Sequence, residues 1–439
     1  MLENNSTAKM AFTVAVCGGG IGGLALAIGL DRQGIDYHIY EAASAFAEIG
    51  AGVSFGPNSV RAMSLISPKI KAGYDRKATS NRDEHKANTW FDFQYGMKSK
   101  HGEPAGKHIT SVLSPPIGQS SVHRAHFLDE LVSLIPDERA TFGKKVDNIV
   151  ESPNGEGVRI HFADGSTATA SIAIGTDGIK SNIRPMVIGK DHPAAKATFS
   201  GKYAYRGLVP MGKAVGLLGD ERARNAQMYL GQDGHILTFP IEKGNTMNVV
   251  AFRTEPSGKW ENEQWVLPMD RSKMEADFSD WGDDPKSILS LMEKPDLWAL
   301  FEHPPAPSYY KGRICLSGDS AHASTPHQGA GAGMALEDAY ILSNVLGRVK
   351  VGSDDEIAAA FEAYNATRKE RSQKLVTTSQ QVAEIYEFQR AGESVEEIEA
   401  ALSDWYKWIW EHDLEKDLQE AFRIMNSRLG ESQSGKCSL

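Results

Sequence analysis

The run Phe12-Thr13-Val14-Ala15-Val16-Cys17, then Gly18-Gly19-Gly20-Ile21-Gly22-Gly23, then LALAIGLDRQG, constrains the fold more than any other feature of the chain. A short apolar, valine-rich segment reads as a buried strand. The glycine cluster reads as a tight turn, and the segment ending near Gly34 as a helix with a glycine at its C-terminus. Tyr37-His38-Ile39-Tyr40 follows as a second strand that ends at Glu41. Together these make one βαβ unit, the start of a Rossmann-like sheet. Glycine lets the backbone turn sharply and approach a pyrophosphate, whose charge the helix N-terminus stabilises. Glu41 lies 18 residues beyond Gly23, where a carboxylate can accept hydrogen bonds from ribose hydroxyls. On these residues alone, FAD and NAD are both open.

The rest of the chain alternates in character. From about Lys144 to Ile174, short β-type runs sit among turn pairs such as Pro153-Asn154 and Asp164-Gly165, which predicts an antiparallel meander. A second strand-rich stretch, Gly201 to Phe252, carries KYAYRGLVP, QMYLG, HILTFP and MNVVAF. The pattern returns to a strand at Ile314-Cys315-Leu316 and a helix opening near Gly333, and is mostly helical to Arg428. The expected architecture is α/β: a Rossmann-like dinucleotide-binding domain, an interlocked β-sheet substrate domain and a C-terminal helical region. Residues 1–180 and 306–350 make the first, 181–305 the second and 351–439 the third. Trp405, Trp408 and Trp410 read as core packing of that last region.

Composition narrows the partners. The chain has 439 residues, 41% of them hydrophobic, enough for two interlocked cores. A net charge of −10 argues against nucleic-acid binding and polybasic membrane contact. Cys17, Cys315 and Cys437 show no metal-binding spacing and fit a reducing compartment. The segment MLENNSTAK is not a signal peptide, and no apolar run reaches the ~20 residues that span a bilayer. A cytoplasmic location is expected, with a monomer or homodimer equally compatible.

Two further motifs lie downstream: Thr176-Asp177-Gly178-Ile179-Lys180-Ser181-Asn182-Ile183-Arg184, and Gly318-Asp319-Ser320-Ala321-His322 followed by Pro326-His327-Gln328-Gly329-Ala330-Gly331-Ala332-Gly333-Met334. A strand-end carboxylate before a Gly/Ala loop can hold a polyol chain and a flat ring, because small residues bring backbone N–H groups close. The three motifs in this order resemble the single-component class A flavoprotein monooxygenases, the para-hydroxybenzoate hydroxylase-like family. The resemblance covers nearly the whole chain. It implies that Gly18, Gly20, Ile21, Gly23 and Glu41 bind the ADP part of FAD. It implies that Asp177 and Gly178 serve FAD and nicotinamide, and that Asp319 meets the ribityl chain. Arg124, in SVHRAHFL, matches the family arginine that opens a helix and meets FAD. Gly331, Ala332, Gly333 and Met334 fall in the loop beside the flavin ring, with Met334 where many members carry Asn. The absence of a second GxGxxG fits a family in which NADH or NADPH visits transiently.

Within the family the salicylate hydroxylase branch is the most similar, through EIGAGVSFGPN (residues 48–58), GQSSVHRA (118–125), QMYLGQDGHILTFP (227–240), NVVAF (248–252) and PHQGAGAG (326–333). That resemblance implies hydroxylation of a phenolic acid with O2 through a C4a-hydroperoxyflavin. For salicylate, attack at the carboxylated carbon releases carbon dioxide and gives catechol. His327 is the candidate to hydrogen-bond or deprotonate the phenol, since an imidazole titrates near neutrality. His322 belongs to the late motif and reads as structural. Met228, His235, Phe239 and Pro326 are candidate substrate contacts, and Arg206 could face an anionic substrate or a surface carboxylate. Another phenolic acid, a phenolic polyketide hydroxylated with dearomatisation, and a flavoprotein oxidase remain open.

Overall fold

The computed structural model describes residues 12–46, 52–152, 157–293 and 296–430. Residues 48–51 of the branch stretch, the Pro153-Asn154 turn and Cys437 lie outside them. One sheet runs in the order Tyr310–Lys311, Ile314–Leu316, Ile172–Gly175, Thr13–Cys17, Asp36–Tyr40, Ala140–Thr141. From Ile314–Leu316 onward its neighbours pair in parallel. Its central strand Thr13–Cys17 is buried from Val14 onward, as a parallel strand covered on both faces must be. The helices Ile21–Arg32 and Gly331–Leu346 pack against each other on this sheet. The meander is a separate three-stranded antiparallel sheet of Val146–Glu151, Val158–Phe162 and Thr167–Ala170.

The second layer is an eight-stranded sheet. Its centre is the hairpin series Gln227–Gly231, Gly234–Ile241 and Thr246–Thr254, joined to the 13-residue strand Thr198–Pro210 and then Asp296–Glu302. Strand alternation divides its side chains. Tyr203, Tyr205, Tyr229, Ile236 and Val249 pack beneath the helices Arg271–Asp277 and Asp283–Ser290. Ala204, Met228, Leu237, Phe239, Val250 and Phe252 face the Rossmann-like layer instead. The sheet also recruits Thr89–Tyr95 and His108–Leu113 from the segment expected to belong wholly with residues 1–180.

The C-terminal region is helical, with a capping box at Ser353 opening the 33-residue helix Asp354–Tyr386. Trp410 is buried in the core, with its ring 5.5 Å from that of Trp90; Trp405 and Trp408 are partly buried against the same cluster. No helix of the described residues is long and apolar enough to cross a membrane.

Candidate active site

A cavity of about 670 Å³ lies between the two layers. At one end it is floored by the first glycine turn. Gly18 has φ +122°, and a Cβ there would overlap the Thr176 carbonyl, while one on Gly23 would overlap the Gly18 carbonyl. The turn is therefore a bare backbone surface, and Gly20 and Ile21 open the following helix onto the same space. The Glu41 carboxylate accepts from Gly19 N–H at 2.6 Å and from Ala43 N–H at 2.7 Å. The helix Gly331–Leu346 also opens onto the cavity, through Gly331 and Ala332. Two helix N-termini thus converge on one space, an arrangement that attracts anionic groups. Arg124 and Asp319 line the same wall.

Asp177 and Gly178 also line the cavity, but the Asp177 carboxylate is turned into its own loop. It accepts from Ser181 Oγ at 2.6 Å and from the N–H groups of Asn182 and Ile183 at 2.8 and 3.2 Å. Burial raises the Asp177 pKa, opposed by these bonds. Its side chain therefore shapes the turn that holds the cavity wall.

The other end is a chamber under the large sheet, walled by Met228, Leu237, Phe239, Val250, Phe252 and Trp90. Arg206 lies on the same sheet face, its guanidinium 4.8 Å from the Trp298 ring centroid. Burial, then the Arg124 guanidinium, push its pKa down to about 10. Pro326 and His327 form the boundary between chamber and glycine loop. His327 is 3% exposed; its Nδ1 lies 3.2 Å from His235 Nε2, and its Nε2 has no hydrogen-bond partner. Burial, then His235 and Lys202, hold its pKa well below the ordinary value, so the ring is neutral.

Comparison with known proteins identifies the framework. Residues 296–379 match a family described as an FAD binding domain. A 6-methylsalicylate 1-monooxygenase of Aspergillus terreus is 41% identical over 94% of this chain and 92% of its own. A salicylate hydroxylase of Pseudomonas putida is 39% identical over 99% of this chain and 98% of its own. The chain belongs to the FAD-dependent aromatic monooxygenases. A solved salicylate hydroxylase substrate complex superposes on it with a TM-score of 0.83, at 36% identity over 94% of this chain and 98% of that one.

In this monooxygenase three of the sequence-derived site residues stand back from the cavity. Met334 is fully buried, its sulfur 3.7 Å from Arg368 Nη2, so its side chain points into the core. Gly333 faces Ser59 and permits close packing of the Gly331–Leu346 helix. His235 is fully buried behind His327. A strand residue one layer back reads in sequence like one at the surface of the chamber. His322 is braced by the Asp338 carboxylate, which also accepts from Gly318 N–H and Arg368 Nε at 3.0 Å. Sequence reasoning did not single out Trp90, Val250 and Phe252 of the chamber wall, or Glu387 and Lys202 behind His235. Alternation within NVVAF could have found Val250 and Phe252; nothing local marks the others.

Proposed function

We propose that this monooxygenase hydroxylates a phenol carrying an ortho carboxylate, with salicylate as the model substrate and NADH or NADPH as reductant. Salicylate, O2, NADH and two protons would give catechol, carbon dioxide, water and NAD+. The observation that carries this reading is His327, which lines the apolar chamber and whose buried Nε2 has no partner. A neutral imidazole there accepts the phenol proton, and the phenolate directs electron density onto the neighbouring ring carbon.

FAD, when bound, passes the reducing equivalents to oxygen and delivers one oxygen atom to the ring. The glycine turn from Gly18 to Gly23 and Glu41 would hold its adenosine diphosphate end. Arg124, Asp319, Gly331 and Ala332 would hold the flavin end. Gly178 leaves open backbone beside that path, with no atom within 4 Å of a Cβ position. Pro326, Met228 and Phe239 would pack the substrate ring, and Arg206 would attract its carboxylate. The apolar walls exclude water from the reacting atoms.

A second reading keeps the chemistry and enlarges the ring. The chamber wall presents mostly apolar side chains, which suits an alkylated or fused phenol of polyketide type. The deciding experiment follows oxidation of NADH by the purified yellow protein with salicylate, assaying catechol and carbon dioxide together. Equal amounts of both products are expected. NADH loss without catechol would transfer the reading to larger phenols, and no salicylate-dependent NADH loss would overturn it.

A further inference from the structure

Behind His327 a line of polar side chains leaves the cavity for the interior. His327 Nδ1 lies 3.2 Å from His235 Nε2, and His235 Nδ1 lies 3.1 Å from Glu387 Oε1. Glu387 Oε2 accepts from Lys202 Nζ and from the Thr254 hydroxyl, the latter at 2.6 Å. His235 and Glu387 are both 0% exposed. The His235 ring is fixed by stacking on Phe252 at 4.4 Å and by the edge-on Tyr386 ring at 5.1 Å. The ionisable groups facing this pair of imidazoles are Lys202, Glu387 and the Tyr386 phenol; burial lowers the His235 pKa, and Glu387 opposes that shift.

The chain of partners fixes which nitrogen carries each proton. An ammonium only donates and an ionised carboxylate only accepts. Burial opposes charge on Glu387, but His235 and Lys202 outweigh it and hold the carboxyl down at about 2. Facing that acceptor, His235 Nδ1 carries the proton and its Nε2 presents a lone pair. His327 Nδ1 therefore donates, and the lone pair of this cavity-lining imidazole is left on Nε2, which has no partner.

Glu387 owes its place to an unusual helix ending. It is the C-cap of the helix Asp354–Tyr386, and Phe388 follows with φ 56°. Phe388 N–H donates to the Ile385 carbonyl at 3.2 Å and Gln389 N–H to the Glu384 carbonyl at 2.7 Å. These are the paired bonds of a left-handed helix terminus, with an aromatic residue where glycine is usual. The conformation is strained for a residue with a Cβ, and it turns the chain at the point where Glu387 meets His235.

We propose that Glu387, held by Lys202, is a positioning residue that sets the tautomers of His235 and His327 and offsets the charge that His235 gains with the relayed proton; this rests on reading His327 as the base. The phenol O–H bond breaks and its proton bonds to His327 Nε2. The proton on His327 Nδ1 passes to His235 Nε2. His235 is then an imidazolium against the Glu387 carboxylate, the substrate is a phenolate, and net charge is unchanged.

The test uses the full-length, FAD-loaded protein and its Glu387→Gln variant. Lys202 has only donors, so the amide oxygen faces it and the amide NH2 faces His235 Nδ1. Both imidazoles then reverse, and His327 Nε2 carries a hydrogen. Nitrogen NMR of isotope-labelled histidine reads this directly. Expected in the wild type is a pyridine-like His327 Nε2 and a pyrrole-like Nδ1, exchanged in the variant. Unchanged tautomers in a folded variant, or a protonated Nε2 in the resting wild type, would overturn the proposal. Should the variant not fold, the wild-type spectrum decides alone. With salicylate as probe, Glu387→Gln is expected to slow hydroxylation about 100-fold while flavin reduction by NADH stays within about twofold. Loss of hydroxylation in His327→Ala but not in Glu387→Gln would remove the relay and keep the base. Full hydroxylation in both would remove the base as well.

Discussion

His327 lines the chamber, its Nε2 is buried without a partner, and its Nδ1 is held by His235. Replacing His327 with Ala is expected to leave the protein yellow, since no cavity glycine moves, and to slow hydroxylation by about two orders of magnitude. Flavin absorbance of the purified variant and product formation under saturating NADH check the two halves. A second buried group, a carboxyl, costs stability once it ionises. Glu302 is buried, Oε1 accepts from the Gln380 amide and Oε2 has no partner. Burial pushes its pKa up from 4.5 to about 7. A carboxyl with a raised pKa in the folded state holds its proton more tightly there than when unfolded. Its contribution is therefore complete below 4.5 and is lost as pH rises toward 7. Glu302→Gln mimics the neutral form, so it should gain on the order of 3 kcal/mol over the wild type at about pH 8 and little at about pH 5. Thermal unfolding at the two pH values reads this; an equal gain at both would contradict it.

Between elements, spacing is set by small residues. A Cβ on Gly29 would lie 2.6 Å from Ser343 Oγ, and one on Gly22 would lie 3.2 Å from the Ala335 Cβ. The helices Ile21–Arg32 and Gly331–Leu346 therefore touch along their lengths, and both open onto the cavity. Gly29 lines no part of that cavity, yet Gly29→Val should spread the pair. Overpacking of this kind costs about 1–3 kcal/mol. The expected result is a lower unfolding temperature and weaker FAD binding in a fluorescence titration, with the cavity residues untouched. The elements that position the glycine turn were legible in the sequence because strand, turn and helix are contiguous and each has its own period. The pairing of Gln227–Gly231 with Thr89–Tyr95 was not. It is a parallel contact between distant segments, and neither segment alone carries a signal for its partner. Met334 and His235 escaped for a related reason: their facing depends on helix rotation and sheet depth, which a local pattern leaves undetermined.

For the whole molecule, the interlocked α/β architecture follows from the order of patterns along the chain, and relatives match it almost end to end. A charge of −10 coexists with a cavity onto which two helix N-termini, Arg124 and Arg206 converge, so the local arrangement overrides the global sign. Less legible was the reach of the C-terminal region into the site. Trp410 braces Trp90 on the chamber wall, and Glu387 stands two side chains behind its mouth. Protein synthesis gives this arrangement an order in time. The cradle between Gly18 and Leu346 leaves the ribosome first, with the chamber wall already within it. The stretch from Asp354 to Trp410, which steadies that wall and orients the histidine pair, comes last. Until it arrives, Asp338, which holds Gly318 N–H, lacks its Arg368 partner, and the histidine pair lacks Glu387.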